Sequence, residues 1–323
     1  MRPLRVVEPV AGPVLFEALR EALAGGPPVG FAPGEVDDDV CLVVPTSGST
    51  GEPKRVALTA ACLLASGAAT ASVIGEGRWW LQLPVTHIAG LQVVIRSGFA
   101  PSPEADGCDY TSLVPTQLVR MLDDPRLPRL RAVLLGGAAA APSLLAAARD
   151  RGINVVTTYG MSETSGGCVY DGQPLPGVSV DVADRIVLSG PVVARGYVGG
   201  PSFDGRFVTS DVGRWVDGRL EVLGRADDVI NTGGEKVAPL AVEQALAEHP
   251  SVVEVAVVGR PDPEWGARVV ACVVLREPLA LEEARDWVGA RLSRVAAPRE
   301  LVVLDALPLL PGGKVDRLRL AAS

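Results

Sequence analysis

Only three lysines serve the 323 residues of this chain, and each stands beside glycines in a loop. Their settings are Ser47-Gly48-Ser49-Thr50-Gly51-Glu52-Pro53-Lys54, Gly233-Gly234-Glu235-Lys236 and Pro311-Gly312-Gly313-Lys314. Arginine does the basic work elsewhere. An ammonium is a compact point charge on a flexible stem, which suits a phosphate differently from a planar guanidinium. Glycines let backbone N–H groups approach an anion. Apolar runs at 40–44 and 301–303, short enough for buried strands, deliver the chain into the first and third loops. The chain must therefore fold around strands that end in glycine loops, and the first inference is a nucleotide-handling enzyme.

The remaining pattern predicts α/β architecture. Residues 14–24 read as an amphipathic helix and 25–39 as a Gly/Pro/Asp loop. Thr59 reads as the N-cap of a small-residue helix running to about residue 72. A strand at 79–83, an apolar helix at 88–97, a strand at 132–135, a helix at 142–151 and a strand at 154–156 follow. That alternation implies helices packed on sheets. Between 186 and 222, short strands alternate with Asp204-Gly205 and Asp217-Gly218 turns, predicting a small β-rich subdomain. Beyond Gly224, helices at 240–248 and 281–293 and strands at 252–258, 269–275 and 301–303 predict a small α+β domain. The expected division is a large domain at 1–226 and a small one at 227–323.

A net charge of −8 and a pI near 5.0 disfavour general nucleic-acid binding. The five cysteines are scattered without a CxxC pair, which predicts reduced core thiols rather than disulfides or zinc. No stretch of about 18 uncharged apolar residues occurs. A cytoplasmic protein without membrane insertion is expected.

The first loop is not a Walker A motif, because Pro53 stands where G-x-x-x-x-G-K-[ST] needs its second glycine. Its order instead resembles the phosphate loop of the adenylate-forming superfamily, which comprises acyl-CoA synthetases, adenylation domains and luciferases. The resemblance runs from about Cys41 to Leu318. It implies that Thr46, Ser47, Gly48, Ser49, Thr50, Gly51 and Lys54 bind ATP phosphates. Tyr159-Gly160-Met161-Ser162-Glu163 resembles the motif in which the tyrosine stacks on adenine, Ser162 meets the α-phosphate and Glu163 binds Mg²⁺. Gly136-Gly137-Ala138 matches the segment lining the adenine, while Asp211 and Arg225 match the ribose motifs. By the same resemblance Asp227 is the hinge of a mobile C-terminal domain. Gly233-Gly234 admits the pantetheine arm of coenzyme A, and Lys314 is the adenylation lysine.

His87 matches the family's histidine beside the acyl pocket, as a gate or carboxylate neighbour rather than a general base. The incoming carboxylate is already ionised at neutral pH. Two stretches, His87 to Ser97 and Ser112 to Leu118, resemble the o-succinylbenzoate–CoA ligase branch of menaquinone synthesis. That implies an aromatic dicarboxylate substrate, with Arg96 and Ser112 near the aromatic carboxylate. A helix C-terminal cation is the bland alternative for Arg96. His87 and Arg96 are nine residues apart and would face opposite ways on one ideal helix, so either the helix starts after His87 or one assignment fails.

The implied reaction is attack of a carboxylate on the α-phosphorus of ATP, followed by coenzyme A displacing AMP. The alternatives are another aryl- or acyl-CoA synthetase, a standalone enzyme loading a carrier protein, and a nucleotide-binding pseudoenzyme. Only about 45 residues precede the first loop, fewer than is usual for the family. A trimmed N-terminal region is expected, with a homodimer as one way to cover the exposed core.

Overall fold

The computed structural model describes residues 1–46, 54–309 and 315–322. Its central element is a six-stranded sheet in the spatial order Gln173–Pro174, Gly166–Tyr170, Val155–Met161, Ala132–Leu135, Tyr110–Leu113 and Trp79–Trp80. The last four strands are parallel. A second sheet holds Gly196–Tyr197, Arg55–Thr59, Val40–Pro45, Val29–Gly30 and Arg5–Val6 in that order.

Two helices fill the space between these sheets. Ala60–Ile74 starts at Thr59, whose hydroxyl accepts the Cys62 N–H at 3.1 Å, an N-cap as predicted. Ile88–Arg96 is buried from Ile88 to Ile95 except at Ala89. A helix apolar on nearly every face belongs inside. Leu91, Val94 and Ile95 pack with the second sheet's Val44, Val56 and Leu58. Val93 packs the other way, with Trp79, Tyr110 and Leu134.

The β-rich expectation for 186–222 holds. Ser179–Val182, Ile186–Ser189 and Arg206–Val208 form one small sheet, and Asp211–Val216 with Arg219–Arg225 a hairpin. Asp217 and Gly218 both have positive φ at the hairpin tip, which a type I′ turn requires. After residue 229 a sheet of Glu235–Val237, Ile230–Thr232, Gly266–Leu275, Val252–Asp262 and Glu300–Val303 packs on Pro239–Ala247 and Leu281–Arg291. The apolar clusters here draw only on residues from Ile230 onward.

Three expectations in the large domain needed adjustment. The strand predicted over 79–83 stops at Trp80, because Leu81 N–H turns to the Ser102 carbonyl at 2.9 Å. The strand predicted at 154–156 runs instead over Val155–Met161. It pairs parallel with Ala132–Leu135 at first and then antiparallel with Gly166–Tyr170, so a second partner carries it through Gly160. The 25–39 stretch contains the two-residue strands Val29–Gly30 and Glu35–Val36, too short to leave a period in the sequence.

Candidate active site

Ligands of open α/β sheets gather beyond the carboxyl ends of the strands. Four parallel strands end at one edge here, and the register aligns them: Ser112 lies beside Leu134, and Leu135 beside Thr157. Ser112 is buried near the end of its strand. Gly136, Gly137 and Ala138 directly follow Ala132–Leu135, with the Gly136 N–H donated to the Leu113 carbonyl at 3.1 Å. Tyr159 and Gly160 occupy the end of the next strand. A Cβ at Gly160 would come within 2.2 Å of the Gly166 carbonyl oxygen, so glycine is sterically required there. His87 follows the loop that leaves Trp80 and stands at the N-cap of Ile88–Arg96.

Ser162 and Glu163 form a single 3-10 turn, Ser162–Thr164, that is clamped from three directions. The Ala194 N–H donates to the Glu163 carbonyl at 2.9 Å, the Ser66 hydroxyl to the Ser165 carbonyl at 3.1 Å, and the Ser165 hydroxyl to the Val192 carbonyl at 2.8 Å. The Glu163 carboxylate is thereby held in a buried position, and the Tyr197 hydroxyl donates to its Oε1 at 2.8 Å. Among the described residues no group of three or more His, Cys, Asp or Glu could hold a metal ion. Magnesium bound to a nucleotide needs only one or two carboxylates besides the phosphates, so one fixed carboxylate fits that requirement.

The ribose candidates, 14 residues apart, become direct cross-strand partners: Asp211 lies opposite Arg225 in the hairpin. The Tyr159 hydroxyl donates to Asp211 Oδ2 at 2.7 Å. Burial above all, with the Asp211 charge beside it, pushes the Tyr159 phenol far above its ordinary range, so it remains a donor. Tyr159 and Asp211, assigned separately to base and ribose, are thus one unit. Arg225 is turned toward Asp227 at 3.5 Å and Asp228 at 3.9 Å, and Arg185 reaches Asp227 at 3.7 Å. These exposed pairs are worth about 0–1 kcal/mol each.

Thr46 and Lys54 frame the first glycine loop, with the Thr46 N–H donated to the Lys54 carbonyl at 2.8 Å. Ser47, Gly48, Ser49, Thr50 and Gly51, and likewise Lys314, lie outside the described residues.

The geometric conflict between His87 and Arg96 resolves. His87 is the N-cap and the helix starts at Ile88, so the two do not share a helical face. They lie about 13 Å apart along the axis, with the arginine stem leaning back toward the N-terminus. The Arg96 guanidinium lies 5.6 Å from the Trp79 ring centroid. Its Nε and Nη2 are shielded from solvent without a hydrogen-bond partner among the described residues. Helix-dipole placement alone does not account for that, since a shielded cationic donor without an acceptor is costly.

Gly233 and Gly234 sit far from this edge in sequence. They join Ile230–Thr232 to Glu235–Val237, and both have positive φ, at 59° and 84°. A Cβ at Gly233 would lie 2.6 Å from the Trp265 ring. The hairpin alone therefore requires glycine at this turn.

Sequence reasoning missed Tyr197. The signal was available, because the chain has only four tyrosines. Tyr110 and Tyr170 hydrogen-bond to Ile74 and Thr70, whereas Tyr159 and Tyr197 each engage a carboxylate singled out by sequence.

The AMP-binding enzyme family model matches residues 13–198, and the model for the AMP-binding enzyme C-terminal domain matches 241–314. A probable 2-succinylbenzoate–CoA ligase of Mycobacterium tuberculosis (strain CDC 1551 / Oshkosh) is 44% identical over 99% of this chain and 97% of its own length. The 2-succinylbenzoate–CoA ligase of Escherichia coli (strain K12) is 33% identical over 86% of this chain and 68% of its own. Among solved structures, the o-succinylbenzoate CoA synthetase of Bacillus subtilis in complex with its acyl-adenylate intermediate superposes with a TM-score of 0.76. It is 29% identical, over 87% of this chain and 69% of that one. The phosphate-loop order, the aligned strand ends and these matches agree: the chain belongs to the AMP-binding, adenylate-forming enzyme family.

Proposed function

We propose that this chain is an ATP-dependent acid–thiol ligase that converts o-succinylbenzoate to its acyl-AMP and then to the coenzyme A thioester. The observation that carries the substrate reading is the Arg96 guanidinium, whose two shielded nitrogens lack an acceptor among the described residues. A second substrate carboxylate would supply one. The names of the relatives point to the same aromatic dicarboxylate.

In this reading Tyr159 stacks on adenine while Asp211 and Arg225 hold the ribose, and Gly136, Gly137, Ala138 and Gly160 leave room for the base. Nucleotide binding then draws Arg225 away from Asp227. Thr46, Lys54 and the loop between them, with Ser162, hold the phosphates. Glu163 is the carboxylate for Mg²⁺, which would supply charge neutralisation on the phosphates when bound. His87 lies at the reacting carboxylate, and Ser112 with Arg96 holds the other. Negative charge concentrates on the phosphoryl oxygens in the transition state, where fixed cations and N–H donors act most strongly. Lys314 supplies one such cation.

The division at Asp227, between domains 1–226 and 227–323, belongs to the same proposal. It is supported by the separate apolar clusters on the two sides. Reorientation about Asp227 would exchange Lys314 for the Gly233-Gly234 turn, past which coenzyme A reaches the acyl-AMP.

The test is AMP formation from ATP, Mg²⁺ and coenzyme A with o-succinylbenzoate, set against benzoates and fatty acids. Strong preference for o-succinylbenzoate is expected. Preference for another acid would keep the chemistry and discard the substrate. ATP binding without turnover of any acid would indicate a nucleotide-binding pseudoenzyme.

A further inference from the structure

One side chain outside every assignment made so far touches both ends of the phosphate site. The hydroxyl of Tyr197 donates to Glu163 Oε1 at 2.8 Å, and the Lys54 ammonium lies 4.9 Å from the centroid of the same ring. We infer that Tyr197 is a positioning residue for the metal–nucleotide complex: its hydroxyl fixes the Glu163 carboxylate and its ring face carries Lys54. The inference rests on the reading of Glu163 and Lys54 given above.

The ring is held well enough for this task. Gly196–Tyr197 pairs antiparallel with Arg55–Thr59, the strand that immediately follows Lys54, placing Tyr197 opposite Val56. The Val198 N–H donates to the Arg55 carbonyl at 2.8 Å. Phe203 meets the ring edge-on at 5.1 Å between centroids. On the other side, Ala194 in the same segment is bonded to the Glu163 backbone. One short stretch, 194–198, therefore joins the strand after the phosphate loop to the turn bearing Glu163.

Three physical consequences follow. A glutamate side chain is rich in rotamers, and a fixed donor on one oxygen removes much of that freedom before any ligand arrives. The Tyr197 hydroxyl donates rather than accepts, because an ionised carboxylate has no proton to give. An ammonium over an aromatic face is held by the ring quadrupole without being neutralised. Lys54 and Glu163 carry opposite charges, and the ring gives each a partner other than the other. Both remain available to a phosphate and its cation.

The test compares binding of preformed Mn²⁺·ATP and of metal-free ATP by titration calorimetry, each variant being measured below its own melting transition. Tyr197→Phe keeps the ring and removes the hydroxyl. Groups that orient a metal ligand are worth about 10–100-fold in metal affinity. Tyr197→Phe should therefore weaken Mn²⁺·ATP about tenfold and leave metal-free ATP within about twofold. Tyr197→Leu should weaken both, because Lys54 loses its platform as well. Unchanged Mn²⁺·ATP affinity in Tyr197→Phe, or an equal loss for both ligands, overturns the proposal. Glu163→Gln serves as the reference. If it also leaves Mn²⁺·ATP affinity unchanged, the assignment of Glu163 itself has failed. If it weakens Mn²⁺·ATP while Tyr197→Phe does not, only the role of Tyr197 is lost.

Discussion

The edge of the six-stranded sheet and the small domain after residue 229 treat charge in opposite ways. In the small domain the carboxylates are met by arginines, although Arg260 Nε is itself shielded without a partner among the described residues. Glu300 accepts from Arg260 at 2.8 Å and from Arg268 at 2.9 Å, and Glu243 accepts from Arg317 at 2.6 and 2.9 Å and from the Val257 N–H at 2.7 Å. At the sheet edge the arrangement stays open. Glu163 and Asp211 meet tyrosine hydroxyls instead of cations among the described residues, and Arg96, on the helix packed against this sheet, has shielded nitrogens without an acceptor among them. In the proposed reading, the nucleotide and the acid complete the groups left open at the edge. Closed networks mark where packing was the end in itself.

The sharpest way to break this contrast is Lys314→Ala, because that lysine would be the small domain's contribution to the first half-reaction. Its loss should slow adenylation by about 10²–10³ or more in pre-steady-state assays, and thioester formation from supplied acyl-AMP much less. Equal losses would end the two-orientation reading.

Next in size is Arg96→Met. Removing one partner of a desolvated charge pair costs about 2–5 kcal/mol in binding. kcat/KM for o-succinylbenzoate should fall about 10²-fold, with KM for ATP unmoved. The melting temperature of the free enzyme should not drop, because the variant discards a cation that has no acceptor among the described residues. A marked drop would make Arg96 structural and close the open edge.

The converse is expected of Arg317→Met. It strands the buried Glu243 carboxylate and should destabilise the small domain by about 2–3 kcal/mol in urea titration. That is below the value for a fully buried pair, because the arginine is 36% exposed. Unchanged stability would remove the closed half of the comparison.

The smallest effects concern the hairpin turn. Gly234→Ala should cost about 1 kcal/mol through its positive φ alone, since nothing lies within 4 Å of the new Cβ. Gly233→Ala should cost more, because its Cβ meets Trp265. If Gly233 also borders the coenzyme's path, KM for coenzyme A should rise beyond what the stability loss explains.

Local features were legible where one local cause dominated. Thr59 announced its helix because an N-cap hydroxyl acts over three residues. The strand Ala132–Leu135 was read at its true limits, since a fully buried parallel strand is continuously apolar. The Asp217-Gly218 turn was legible because a type I′ hairpin restricts which residues fit. Val155–Met161 was read too short because its second half depends on pairing with Gly166–Tyr170, a partner no local window contains.

For the site, the order of the motifs and the family resemblance they carry offered Glu163, Asp211, Arg225 and Arg96 as candidates. The sequence by itself determined which chemical groups are present and which helix and strand pattern carries them. Only the tertiary structure decided which groups meet. Asp211 and Arg225 are brought face to face by a hairpin, Tyr159 reaches Asp211 across 52 residues, and Tyr197 reaches Glu163 across 34. The physical reason is range. Propensity, capping and turn chemistry act between near neighbours in the chain, whereas a hydrogen bond to a buried carboxylate depends on sheet register and helix packing that the whole fold must set first.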